Sequence, residues 1–139
     1  PVLIVHILCM FVGMLFSLRA GLAAIFREDS LSRLALTTLL LLGLGGLALG
    51  PVVQKYAFDA YWTGWPLGQD LTDNKLAVAV LCWGLAVFRI LRDRRTAGTV
   101  RAGRAFAIGA MLVTLLIFAI PHSMHGSTLD YETGEHVQR

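Results

Sequence analysis

Imidazole both ligates metals and changes charge near neutral pH, so the four histidines, His6, His122, His125 and His136, are where chemistry is first sought. Two on separate helices at matched height can ligate one iron from both faces of a haem. Two spaced three apart, as His122 and His125 are, stack on one helix face and suit a transition metal, provided the helix continues past Pro121. Each possibility depends on the elements that carry the residues.

Those elements are membrane helices. Of 139 residues, 56% are hydrophobic and 15% charged, far from soluble globular usage; mean hydropathy is +0.67. The chain reads as one all-α domain, an integral membrane four-helix bundle over 1–139. The spans are about 2–26, 34–58, 75–91 and 102–121, with a loop at 56–75 and a polar tail at 127–139. The first segment lacks a basic stretch ahead of it and a small-residue cleavage site, and reads as a retained helix rather than a signal peptide. Gly50-Pro51 is expected to kink or end the second span, and Thr72 or Asp73 to cap the third. The net charge of +3 is gathered in loops, which points to lipid head groups; no nucleic-acid motif is present.

Arginine sets the orientation. The third loop holds Arg92, Arg94, Arg95, Arg101 and Arg104, and the first holds Arg27 and Arg33. Both are therefore expected in the cytoplasm of a bacterial-type inner membrane, with both termini and the 56–75 loop on the outer, periplasmic side.

Height then brings histidines together. His6 is 21 residues from Arg27 and His122 is 18 from Arg104, roughly 31 and 27 Å of helix. His6 and His122 are the expected axial ligands of a haem b, with Lys55 and Lys75 at the same edge for its propionates. In the metal reading, His122 and His125 hold copper or zinc with help from Asp59, Asp70 or Asp73. The middle of spans three and four reads as lacking polar residues, which weighs against transport through it. Cys9 and Cys82 read as buried thiols rather than a disulfide, and His136 as a solvated tail residue. Gly13, Ser17 and Gly21, spaced by four, are expected to face a close neighbour, which is either a packed helix or a haem edge. Arg19 is expected to snorkel towards the nearer surface.

The segment YAFDAYWTGWPLGQDLTDNK, Tyr56 to Lys75, alternates aromatics and acids about turn residues and is expected to fold back over the bundle mouth as a lid. There Asp59, Asp70 or Asp73 could orient a histidine.

The stretch HILCMFVGMLFSL, with an early histidine followed by glycine and small residues, and LGQDLTDNKLAVAVLCWGLAVFRILRDRR together resemble the copper-resistance D family. The outline is similar to that of the four-helix bacterial protoporphyrinogen oxidases. The resemblance covers most of the chain as four helices, and it implies copper handling or haem binding through the first-span histidine, here His6.

Three functions follow as expectations. The first is a haem b protein that transfers electrons at the outer face, with quinone or within a redox complex. The second is an outer-face copper or zinc binding or transport protein. The third is a non-catalytic subunit that packs against membrane partners or its own copies.

Overall fold

The computed structural model describes residues 1–59, 61–66, 71–96, 99–120, 127–129 and 136–138, without the side chains of 58, 71, 72 and the last two segments. Helix α1 runs Val2–Ile25 and α2 runs Leu31–Leu42; a π-helix, Gly43–Ala48, joins α2 to α3, Leu49–Phe58. Helix α4 runs Leu71–Thr96 and α5 runs Arg101–Ala119. Two three-residue strands, Ser127–Leu129 and His136–Gln138, pair antiparallel in the tail, with Leu129 opposite His136.

Four helical segments are long and apolar enough to cross a membrane: Val2–Ile25, Leu31–Ala57, Asp73–Thr96 and Arg101–Ala119. At 1.5 Å per residue the shortest is about 28 Å, close to the hydrocarbon thickness of about 30 Å. Helix α4 is much longer than the apolar stretch 75–91 suggests. Its extra turns carry Asp73 and Asn74 at one end and Arg92 to Arg95 at the other, and arginine is a good helix former that needs no apolar surroundings.

Local chemistry explains where the helices stop. At the end of α1, Arg27 takes a left-handed conformation (φ 61°) and the Glu28 N–H donates to Ala23 O at 2.9 Å, the Schellman pattern without its usual glycine. Asp59, also left-handed (φ 59°), ends α3. Ile120 is extended (φ −79°, ψ 122°), as expected of a residue before proline, so α5 ends at Ala119.

Pro51 does not end the second span. It has no N–H to donate and its ring crowds the carbonyl four residues back; just upstream, the glycine-rich Gly43–Ala48 widens into a π-helix, and the chain then stays helical to Phe58.

Each long helix packs against two neighbours, α1 on α2, α2 on α4, α4 on α5 and α5 on α1, closing an antiparallel ring. Glycine permits the close approaches. A Cβ on Gly13 would lie 2.9 Å from Leu42, on Gly21 2.1 Å from Met111, and on Gly46 2.5 Å from Leu76. The stripe Gly13, Ser17, Gly21 is therefore a helix-packing face.

Those pairings bring one polar side chain from each span to the same level. One turn from the Gly13–Leu42 and Gly21–Met111 contacts, Ser17 stands level with Thr38 and Thr114, and the α2–α4 pairing brings Thr38 level with Trp83. All four are 0% exposed. Trp83 Nε1 donates to Thr114 Oγ1 at 3.0 Å, and the Thr114 hydroxyl donates to Ala110 O at 2.8 Å. Thr38 Oγ1 donates to Leu34 O at 2.9 Å, while Ser17 Oγ has no partner among the described residues. The middle of spans three and four thus does carry polar groups, concealed in the sequence as one threonine and one indole N–H.

Candidate functional site

The bundle has a histidine end, where α1 begins, and an arginine end. At the histidine end His6 projects half-buried from the second turn of α1 towards the π-helix. Its Nδ1 lies 2.6 Å from the carbonyl oxygen of Gly45. A carbonyl only accepts, so Nδ1 is the donor, and a neutral imidazole held this way has its lone pair on Nε2. This is the arrangement of a ligating histidine, whose second nitrogen donates to a fixed oxygen that orients the ring and raises its basicity.

The surroundings of His6 are tight. A Cβ on Gly45 would lie 2.3 Å from Cys9 Cβ, and one on Gly50 would lie 3.6 Å from His6 Cε1. The packed seam between α1 and the π-helix does not take a macrocycle.

Lys55 forms an ion pair with Asp59 one turn on and stands 5.5 Å from the centre of the Tyr61 ring. Lys75 lines an apolar groove of about 290 Å³ between α4 and α5, with Asn74, Val78, Val113, Leu116 and Ile120. The two lysines occupy different settings.

Asp73 organises the loop. It is 9% exposed, and its Oδ2 accepts from the Thr63 N–H at 2.8 Å, the Gly64 N–H at 3.1 Å and the Thr63 hydroxyl at 3.4 Å. Asn74 Oδ1 accepts from the Trp65 N–H at 2.7 Å, and Gln54 bonds Thr63 Oγ1 at 2.6 Å. A Cβ on Gly64 would lie 2.7 Å from Asp73 Cβ, so only glycine allows this approach. Asp73 lies inside α4, as does Thr72, so neither is the N-cap expected from sequence; the carboxylate binds the loop instead of the helix start. Tyr56, Tyr61 and Trp65 are exposed at this end.

His122, His125 and Asp70 lie outside the described residues, as does any lid over 67–70. Because α5 stops at Ala119, it does not provide the continuous helix on which His122 and His125 would stack. Asp59 and Asp73 have separate partners, and no group of three or more His, Cys, Asp or Glu side chains that could hold a metal occurs among the described residues. Cys9 and Cys82 are free thiols in different helices.

At the arginine end, Arg19 reaches back to Glu28, with Nη1 3.1 Å from Oε1 and Nη2 2.5 Å from Oε2. That hydrogen bonding, with a second bond from the Ser30 hydroxyl, holds the Glu28 carboxyl below its ordinary range. Asp93, 5% exposed, accepts from the Gly103 N–H at 2.8 Å and lies 3.1 Å from Arg89 Nε, joining the end of α4 to the start of α5. Neither the Glu28 nor the Asp93 contact was foreseen, because each depends on where a turn returns the chain.

No protein-family model, curated protein or solved structure matches the chain. The functional reading rests on the residues themselves.

Proposed function

We propose that this chain is a small multi-pass protein of a bacterial-type inner membrane that binds haem b through His6 and transfers electrons at the outer face, with quinone or a membrane redox partner. The observation that carries the reading is the His6 Nδ1 contact with Gly45 O, which leaves Nε2 available for iron. His122 is the second ligand in this reading, with His125 as substitute. Bound haem would supply one-electron exchange at its iron. The chain supplies the rest: Gly45 fixes the ring and its tautomer, and apolar helices exclude water.

The same contact also favours a purely structural role, in which His6 fastens α1 to a π-helix carbonyl. A reduced-minus-oxidised spectrum of gently solubilised protein from native membranes separates the two. Haem b bands are expected from wild type and from His136→Ala, and are lost in His6→Ala. Folded wild type without bands overturns the haem reading. If His6→Gln, which retains a donor for Gly45, then keeps wild-type thermal stability, the structural role stands in its place.

A further inference from the structure

At the arginine end, a groove of about 140 Å³ opens between α2 and α4, walled by Leu36, Val87, Ile90 and Leu91. Ser32 and Arg33, in the first turn of α2, border it, and its exposed lining is almost wholly apolar. The Ser32 hydroxyl oxygen is buried and has no hydrogen-bond partner among the described residues. Arg94 brings a second guanidinium to the same corner, since its Nη2 donates to Asp29 O at 3.1 Å, three residues before Ser32. Nine of the twelve basic residues, Arg19, Arg27, Arg33, Arg89, Arg92, Arg94, Arg95, Arg101 and Arg104, belong to this end, against Glu28, Asp29 and Asp93. Glu28 is engaged by Arg19 and Asp93 by Arg89, which leaves the Asp29 carboxylate as the charge opposing an anion here.

We propose that this groove binds an anionic diacyl phospholipid, its phosphate held by the exposed Arg33 and its acyl chain lying against Leu36, Val87, Ile90 and Leu91. The inference rests on the four-span membrane reading and is independent of haem. Charge complementarity chooses the occupant. A zwitterionic lipid fills the apolar walls equally well, but its positive group gains nothing from a corner already crowded with guanidinium. A guanidinium makes two parallel hydrogen bonds to phosphate oxygens. A free phosphate would leave the apolar walls unused.

The test is native mass spectrometry of the whole protein released from nanodiscs of phosphatidylcholine doped with phosphatidylglycerol. Wild type is expected to retain phosphatidylglycerol in preference to phosphatidylcholine. Arg33→Gln should lower that retention about fivefold, the ratio that goes with one basic residue at an anionic membrane surface. Arg101→Gln, at the same end but outside the groove, should leave it unchanged. Filling the groove from either wall, with Leu36→Trp or Leu91→Trp, should also expel the lipid. Equal losses in Arg33→Gln and Arg101→Gln would mean diffuse attraction and overturn the site, as would wild type without preference or a folded tryptophan variant that retains the lipid. Arg33 is exposed, so its variant carries the test even if neither tryptophan variant assembles.

Discussion

Asp73 compensates the burial of its carboxylate bond by bond: two backbone N–H groups and a hydroxyl converge on one oxygen, all from residues nine or ten positions earlier. Removing the acceptor leaves the buried Gly64 N–H unsatisfied, at about 1–3 kcal/mol, and breaks the bond from the partly buried Thr63 N–H. Asp73→Ala should therefore lower the thermal midpoint in detergent well below that of Asp59→Ala, whose side chain is 91% exposed and joins one surface ion pair. Equal midpoints would mean that the loop is not held through Asp73. That an acid before the third span was important was legible in the sequence; its target was not, because periodicity says nothing about which backbone N–H a turn presents ten residues away. His6 shows the same limit. Its place near a helix start was readable, whereas its Gly45 partner, 39 residues distant, follows from helix packing.

Composition and length were enough to place four helices, and Pro51 was enough to mark a disturbance in the second. How the disturbance resolves depends on neighbours. Gly43, Gly45 and Gly46 lack the side chains that would otherwise pin an α-helical register, and Cys9 of α1 and Leu76 of α4 fill the space beside Gly45 and Gly46. Gly45→Ala tests that coupling, since the new Cβ would meet Cys9 Cβ at 2.3 Å. Overpacking of this kind costs about 1–3 kcal/mol. Because the collision is with one atom, Cys9→Gly should recover much of the loss in a double-mutant cycle of thermal midpoints, after allowance for its own effect. Additive changes would show that α1 and the π-helix are not in contact here. Helix α4 outruns the apolar stretch 75–91 for a different reason: hydropathy marks where a helix can enter lipid, and α4 continues beyond it through Asp73 and Asn74 at one end and the arginines at the other.

On the scale of the whole bundle, the ring of helices sorts its polar groups into three levels: the Asp73 loop and His6 at one end, the Ser17, Thr38, Trp83 and Thr114 layer in the middle, and the arginines at the other end. The middle level was not legible in the sequence because each of these polar groups lies within an apolar run, and only the antiparallel register aligns them. The end-to-end asymmetry of charge, by contrast, was fully legible, and it predicts direction. Basic residues near span ends resist translocation, whereas carboxylates contribute little, so the loop between α4 and α5 is expected in the cytoplasm and the 59–66 segment outside. Single cysteines at Thr99, between α4 and α5, and at Tyr61, exposed at the histidine end, report the two sides in a background lacking Cys9 and Cys82. In intact cells a membrane-impermeant maleimide should label Tyr61→Cys, and should reach Thr99→Cys only after the membrane is opened. The reverse pattern would put the arginine end outside. Haem held by His6 would then face the cytoplasm, and its electron partners would have to be sought on that side.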